Sequence, residues 1–220
     1  RKIDEAADSK RKIIEKKQSD IHRIIQNVYG SAPQVKMETL GEISRGASPR
    51  PIKKYLTAAA NGVNWIKIGD ISPEDRYVKK TREKITEEGA KKSVRVYKGD
   101  FILSNSMSYG RPYIVDIEGC IHDGWLLIRN LKDNILRDYL YYVLLSPAVQ
   151  SQFAEKAGAG TTVSNLNISR VKSVKIPLPE ISEQQKILKE IYSYTEEIDK
   201  LKEEIEDLKK QRKQILKQYL

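Results

Sequence analysis

The stretch from Gly158 to Ile187, GAGTTVSNLNISRVKSVKIPLPEISEQQKI, marks the point where a folded domain ends and a long helix begins. It opens with a loop of small and hydroxyl-bearing residues, and the β-branched segment from Val171 to Ile176 then predicts a short strand. Two prolines in Ile176 to Pro179 stop that strand, because proline cannot donate to a ladder and restricts the residue before it. Ser182, followed three residues later by Gln185, has the pattern of a capping box, which predicts the start of a new helix.

The predicted helix that follows carries the most regular apolar pattern in the chain. Apolar residues alternate spacings of four and three between charged flanks, which is typical of a coiled-coil seam. At 1.5 Å per residue, residues 182–220 would form a rod of roughly 60 Å, and its apolar stripe requires a partner helix. That partner could come from the N-terminal segment, a second copy of the chain or another protein. The predicted seam residues are Ile187, Ile191, Tyr194, Ile198, Leu201, Ile205 and Leu208.

Residues 1–30 predict a second long helix, with Gly30 as a natural stop. Four apolar residues recur at intervals of seven, namely Ala7, Ile14, Ile21 and Val28. Lys10 and Lys17 occupy the other seam positions, so the seam is imperfect. Two interpretations remain open: a helix packed on its own domain, and one strand of a coiled coil.

The composition points to a reducing compartment and to a chain with solvated helices. Hydrophobic residues make up 39% of the 220 residues and charged residues 32%, which is low in apolar content for one compact globule. A single cysteine, Cys120, excludes a disulfide framework and a cysteine-based zinc site. No apolar run approaches 18 residues and no signal-peptide pattern is present, so we expect a cytoplasmic protein with no membrane partner.

The net charge of +10 lies mainly in the middle of the chain. Residues 31–181 hold 23 Lys and Arg against 16 Asp and Glu, whereas residues 182–220 hold nine of each. A basic globular domain is expected of a protein that binds the phosphate backbone of nucleic acid. Charge alone leaves other partners open.

The middle of the chain alternates strand and helix signals, which predicts an α+β domain. Apolar alternation predicts five strands, at Trp65–Gly69, Val94–Tyr97, Phe101–Leu103, Pro112–Ile117 and Trp125–Ile128. Residues 137–157 predict two helical pieces, because Ser146 and Pro147 form an N-cap followed by a first-turn proline. Tyr139, Tyr141 and Tyr142 on the first piece are either base-stacking residues or half-buried core.

Three polar segments are candidates for contact with a ligand. The segment Ser44 to Pro51 holds two arginines, two serines, a glycine and two prolines, which is typical of a phosphate-binding loop or a solvated surface loop. Ser104 to Arg111 is polar and short-chained, and residues 72–88 are highly charged.

No catalytic constellation is present in the sequence. There is no GxxxxGK(S/T) phosphate loop, no glycine-rich cofactor fingerprint after a strand, and no Asn/Asp-Pro-Pro-aromatic motif. His22 and His122 are far apart, without metal-ligand spacing, and His122–Asp123 is more typical of a structural dipeptide. We therefore expect no catalytic residues and no metal site.

The ordered motifs resemble one half of a DNA-specificity subunit of a type I restriction-modification system. The resemblance spans residues 36–220, and its order and spacing are more specific than any single motif. It rests on Leu40–Ile43 with Gly46 and Pro49, Trp65–Ile71, Lys98–Ser104, Tyr139–Leu140, Gly160–Thr162, and Ile176–Pro179 followed by Glu183–Ile187.

This resemblance implies a mixed α/β target-recognition domain, residues 31–181, between a spacer-like helix, residues 1–30, and a conserved-region helix, residues 182–220. The two helices would form an antiparallel coiled coil. Family members are non-catalytic, usually hold two recognition domains, and bind methyltransferase and restriction subunits. S-adenosylmethionine, ATP and Mg²⁺ would be bound by those partners, and this chain would bind no cofactor.

In that role, loop side chains would read bases and basic side chains would hold phosphates. The base-reading candidates are Ser104, Asn105, Ser106, Tyr109, Arg111, Thr161, Thr162 and Asn165. The phosphate candidates are Arg45, Arg50, Lys53, Lys54, Lys79, Lys80 and Arg82.

The chain departs from the family pattern because it holds one recognition domain. It would be either a half-length subunit that forms a homodimer through its helices or a piece of a longer chain. Two other interpretations remain open: the recognition part of a fused restriction-methylation enzyme, and a coiled-coil protein that binds another nucleic acid such as RNA.

Overall fold

The computed structural model describes residues 2–105, 110–157 and 166–218. It divides into two compact units, one made of Arg1–Ala32 with Pro179–Leu220 and the other of Pro33–Leu178. The helices are α1 (Lys2–Ser31), α2 (Glu87–Ala90), α3 (Arg137–Leu145), α4 (Pro147–Ala157), α5 (Ile168–Lys172) and α6 (Ile181–Gln218). The strands are β1 (Gln34–Lys36), β2 (Glu42–Arg45), β3 (Leu56–Thr57), β4 (Val63–Ile66), β5 (Tyr77–Val78), β6 (Glu83–Ile85), β7 (Val94–Val96), β8 (Phe101–Ser104), β9 (Pro112–Val115), β10 (Gly119–Ile121), β11 (Trp125–Arg129) and β12 (Lys175–Pro177).

The first unit is an antiparallel pair of helices, α1 and α6. Their apolar stripes face each other and are buried, which confirms the predicted antiparallel coiled coil. The buried residues on α1 are Ala7, Ile14, Ile21, Ile25 and Val28, and those on α6 include Ile187, Leu188, Ile191, Ile198 and Ile205. The partner of α6 is therefore the N-terminal helix of the same chain.

Among the described residues, three ion pairs cross between the helices, and they show why the seam contains lysines. Lys10 pairs with Glu204, Lys17 Nζ lies 2.5 Å from Glu197, and Asp4 pairs with Arg212 at 3.2 Å. Lys17 Nζ also lies 5.5 Å from the centroid of the Tyr194 ring. The lysine stems can pack along the seam while their ammonium groups reach carboxylates at its rim.

The second unit contains two five-stranded sheets and one small ladder. One sheet has the order β3-β6-β4-β10-β7, the other β2-β11-β8-β9-β5, and β1 pairs with β12. Within these sheets only β4–β10 and β5–β9 are parallel pairs in the described part of the chain. The predicted α+β class is confirmed.

The core is formed by alternate residues of both sheets. Ile66, Val96 and Ile121 of the first sheet belong to one buried cluster with Ile102, Val115 and Leu127 of the second. On the opposite face of the first sheet, Trp65, Ile85 and Cys120 pack with Tyr55 and with Ala90 of α2. Buried side chains recur at every second residue of a strand, and this spacing produces the apolar alternation seen in the sequence.

Two expectations for the domain junction are wrong. Val171 and Lys172 belong to α5 and not to a strand, because Asn167 accepts the Arg170 amide N–H at 2.9 Å and starts a short helix. Within the predicted strand Val171–Ile176, strand pairing begins only at Lys175, where β12 starts. The capping box predicted at Ser182 and Gln185 is the second wrong expectation, because α6 begins at Ile181 and Ser182 therefore lies inside the helix and not at its N-cap. The Gln184 side chain donates to the Pro179 carbonyl at 2.8 Å.

The tyrosines of α3 belong to the core. Tyr139, Tyr141 and Tyr142 are at most 8% exposed, and the Tyr139 hydroxyl donates to the Pro177 carbonyl at 3.0 Å. Burial raises the pKa of Tyr141 to about 12. The tyrosines are therefore core residues, and the interpretation that they stack on bases is wrong.

Among the described residues, no helix is both long enough and apolar enough to span a membrane.

Candidate nucleic-acid interface

The parallel pairing of β4 and β10 creates an edge at which two loops begin together. Ile66 lies opposite Ile121 in this ladder, so Lys67 and His122 leave the sheet side by side. The Ile68 N–H faces His122 Nε2 at an N···N distance of 3.3 Å, where the two loops meet.

His122 shapes the turn that links β10 to β11. Its Nδ1 accepts the Gly124 N–H at 2.8 Å, and its ring lies about 6 Å from the rings of Trp65 and Trp125. Burial lowers the pKa of His122, although Asp123 opposes that effect. The ring is therefore held as a neutral hydrogen-bond acceptor.

The loop after β2 is fastened to this turn through its backbone. Gly46 N–H donates to the Trp125 carbonyl at 2.9 Å, and Ala47 N–H to the Ile121 carbonyl at 3.2 Å. A Cβ atom on Gly46 would lie 2.1 Å from the His122 carbonyl oxygen. Only glycine permits so close an approach, so the sequence places Gly46 where the two backbones meet.

Asp123 accepts hydrogen bonds from several side chains of this loop. Its carboxylate accepts the Ser48 hydroxyl at 2.7 Å and the Arg50 guanidinium at 3.1 Å. Its backbone carbonyl accepts Arg45 Nε at 2.8 Å and the Asn105 side-chain amide at 2.9 Å. We refer to Arg45, Ser48, Arg50, Asn105 and Asp123 as the Asp123 cluster.

The Asp123 carboxylate is held ionised. The Ser48 hydrogen bond is the main cause that lowers the pKa of Asp123, and Arg50 acts in the same direction. At neutral pH the cluster therefore presents two guanidinium groups around one carboxylate.

Further cations lie along the same edge. Lys67 pairs with Glu83 at 2.7 Å, and Arg82 lies 3.8 Å from Asp70. Asp70 in turn accepts the Lys67 N–H at 2.9 Å and lines a cleft of about 260 Å³ with Lys79 and Lys80. We define the basic edge as Arg45, Arg50, Lys67, Lys79, Lys80 and Arg82.

Two further phosphate candidates, Lys53 and Lys54, follow Arg50 by three and four residues and lie in the turn Ile52–Lys54. The next residue, Tyr55, accepts the Thr86 N–H at 2.7 Å, just after β6, whereas Arg82 lies just before that strand. We do not count Lys53 and Lys54 in the basic edge.

Of the base-reading candidates, Arg111 alone is both described and partly exposed. Ser104 and Asn105 are buried, at 0% and 2% exposure, and the Asn105 amide is occupied by the Asp123 carbonyl. These two side chains are not presented at the surface, because both lie at the end of a fully covered strand. Ser106, Tyr109, Thr161, Thr162 and Asn165 lie outside the described residues.

Asn105 links two segments of the domain through its backbone, and its position in the sequence did not indicate this role. Its N–H donates to the Gly124 carbonyl at 3.0 Å and its carbonyl accepts the Leu166 N–H at 3.1 Å. Asn105 thus connects the His122–Gly124 turn to the chain at Leu166.

An arginine-aromatic cluster lies beside the cleft, and no motif in the sequence indicates it. Arg76 pairs with Asp138 at 2.5 Å, and its guanidinium lies 4.6 Å from the Tyr141 ring centroid and 5.2 Å from that of Tyr77. Burial lowers the pKa of Arg76, but Asp138 and the tyrosines outweigh it and the net shift is upward. Arg76 ties the segment before β5 to α3.

Among the described residues, no group of three or more His, Cys, Asp or Glu side chains is arranged to hold a metal ion.

Comparison with known proteins identifies relatives of this chain. Residues 34–210 match the family described as "Type I restriction modification DNA specificity domain". The type I restriction enzyme MjaIX specificity subunit of Methanocaldococcus jannaschii is 31% identical over 158 residues, covering 69% of this chain and 35% of that protein.

Solved structures share the fold. The crystal structure of the HsdS subunit from Thermoanaerobacter tengcongensis superposes with a TM-score of 0.62 at 17% identity, covering 98% of this chain and 55% of that one. The type IIG restriction endonuclease BpuSI superposes with a TM-score of 0.51 at 9% identity, covering 86% of this chain and 33% of that one. The chain thus spans about half the length of the HsdS subunit and about a third of the other two proteins.

Proposed function

Because the chain belongs to the type I restriction-modification DNA specificity family, we propose that it binds double-stranded DNA through the basic edge. In this role it reads one half of a bipartite target. The observation that carries the proposal is the convergence of Arg45 and Arg50 on Asp123, which gathers cations from both ends of one loop.

The basic edge suits the phosphate backbone more than a small anion. Its six cations extend from the Asp123 cluster to the cleft at Lys79 and Lys80 and form no closed pocket. Each phosphate neutralised by Lys or Arg releases counterions, so an extended row of cations binds DNA without regard to sequence.

Sequence reading is assigned to candidates from the sequence. Arg111 is the described candidate, since a guanidinium can bind guanine in a bidentate manner. Ser106, Tyr109, Thr161, Thr162 and Asn165 remain candidates from the sequence alone. Ser104 and Asn105 are buried and are assigned no base contact, and Lys53 and Lys54 are left as secondary phosphate contacts.

The helical unit is proposed as the docking element for other subunits. Its outer faces are strongly charged, and its apolar seam is already filled by α1 and α6. Methyltransferase subunits, and through them a restriction subunit, would supply S-adenosylmethionine, ATP and Mg²⁺, while this chain remains non-catalytic. A homodimer through the helices would combine two recognition units if the chain acts as a half-length subunit.

A second candidate function is the recognition part of a single-chain restriction-methylation enzyme. The superposition on the type IIG endonuclease favours it, because the same fold occurs there as a third of a longer chain. DNA binding through the basic edge is common to both candidates.

Fluorescence anisotropy with a short random-sequence duplex tests the DNA-binding proposal. Lys79→Ala and Arg82→Ala should each weaken binding and reduce the slope of log K against log salt by about 0.9. Arg111→Ala should instead act mainly on sequence preference. Lys132→Ala removes an exposed charge near Leu40, at the other end of β2, and should leave the slope unchanged. Equal effects of Lys132→Ala and Arg82→Ala would contradict the proposal.

A further inference from the structure

Arg50 is a largely exposed cation of the Asp123 cluster and is held by a carboxylate. Its side chain is 80% exposed, that of Asp123 is 42% exposed, and their N···O distance is 3.1 Å. Arg45 differs, because its guanidinium is bound by the neutral Asp123 carbonyl. The two arginines are thus fixed to one residue by groups of different charge.

A partly exposed carboxylate at one end of a phosphate-binding edge opposes the binding of DNA. It repels phosphates directly, and it occupies a cation that phosphates would otherwise bind. Ser48 and the backbone hold this carboxylate in place, since the Ser48 hydroxyl donates to Oδ1 at 2.7 Å and accepts the Asp123 N–H at 3.4 Å. Asp123 therefore stays fixed when Arg50 leaves it.

We propose that the Asp123 carboxylate is a positioning group that competes with a DNA phosphate for Arg50. In the free protein it holds the guanidinium at the edge of the loop, and in the complex a phosphate oxygen takes its place. This inference rests on the proposed DNA-binding function and assigns to Asp123 the control of how strongly the edge binds any duplex.

The geometry permits this exchange because the two oxyanions are chemically alike. Both accept N–H bonds from a guanidinium fork, and the exposed Arg50 side chain can turn from one to the other without disturbing Gly46 or Ser48. Exposed ion pairs are weak, so losing the competitor should strengthen binding by about two- to fivefold.

The test is a double-mutant cycle in the full chain, with affinity for a short random-sequence duplex measured by anisotropy. Asp123→Asn removes the charge and keeps an oxygen that accepts the Ser48 hydroxyl. This variant should bind the duplex about two- to fivefold more tightly than the wild type. In the Arg50→Ala background the same substitution should produce a smaller gain, because only the direct repulsion of phosphates is then removed.

Glu38→Gln is the matched control. It breaks the Lys36–Glu38 pair, which has a similar distance, 3.3 Å, and a carboxylate of similar exposure, 44%, before the far end of β2. Affinity should not change in this variant.

The outcomes separate the inference from the proposed function. If the wild type does not bind duplex DNA, the proposed function fails. If the wild type binds and Asp123→Asn binds no more tightly, or gains equally without Arg50, the competition is refuted and DNA binding stands.

Discussion

At the scale of single residues, His122 and Asp123 organise the interface although neither has an unusual sequence context. The Gly124 and Ile68 N–H groups each face a ring nitrogen of His122, and the neutral ring accepts one of them, the Gly124 N–H, at Nδ1. Protonation would place an N–H on both nitrogens, opposite two backbone donors. The fold of this turn therefore depends on a neutral imidazole.

This dependence predicts a loss of stability in mild acid. The folded pKa of His122 is lowered by burial, so the unfolded chain takes up protons first, below the ordinary histidine pKa of about 6.5. The contribution of neutral His122 to the free energy of unfolding is complete above that pH, and it is lost as pH falls through the pKa of the folded state. The urea midpoint should thus be lower at a pH of about 5.5 than at about 7.5.

Asn is a suitable replacement, because its side-chain oxygen can accept the Gly124 N–H without titrating. His122→Asn should flatten part of the pH dependence. His22 also has a pKa lowered by burial, so His22→Asn should remove a separate part. A wild-type midpoint that is constant or rises toward acid would contradict the assigned role.

The residues of the edge could be predicted from the sequence only in part. Arg45 and Arg50 stood out because a loop rich in glycine, proline and arginine is recognisable along the chain. Asp123 did not stand out in the sequence, because it reaches Arg45 and Arg50 only through the pairing of β4 with β10 and of β2 with β11. Asn105 has the same polarity as a base-reading residue, and only its burial distinguishes the two roles.

At the scale of elements, the helical pair is specified by charge as well as by its apolar seam. Lys10 and Lys17 are seven residues apart, as are their partners Glu204 and Glu197. Opposite charges at seam flanks set orientation and partner choice in coiled coils. These pairs match the antiparallel alignment of α1 with α6.

Reversing the charges should therefore loosen the pair. The double variant Lys10→Glu with Lys17→Glu should lower the free energy of unfolding by about 1 kcal/mol or more, because it replaces attraction with repulsion at two partly buried sites. Adding Glu197→Lys and Glu204→Lys should restore most of the loss. Circular dichroism during urea unfolding measures both.

Lys12→Glu, on the exposed face of α1, serves as the control and should change little. If the four-residue swap is no more stable than the double variant, the ion pairs do not specify the alignment.

Long periodic elements were predictable and short ones were not. The heptad pattern of α6 extends over some twenty residues, but the sequence left its partner open among three possibilities. Strands β3 and β5 hold two residues each, which is too few for a period of two to appear. The expected strand at Val171 failed because the Asn167 cap favours a helical turn over β-branched propensity.

At the scale of the whole molecule, the charge distribution agrees with the division into two units. The mixed unit carries the basic surplus, and the long helices of the other unit are close to charge balance. Composition predicted this separation because the net charge of a segment is the sum of its residues' charges. The set of loops that meet at one edge cannot be obtained by such a sum, because it depends on the order of the strands in the sheet.

The most direct test of DNA reading is selection of duplexes from a random library by the 220-residue chain, followed by sequencing. We expect one short enriched motif in duplex DNA, retained in Lys79→Ala at reduced yield and altered in Arg111→Ala. Enrichment of no motif by a folded, soluble chain, or an equal capture of RNA, would contradict a role in reading duplex DNA.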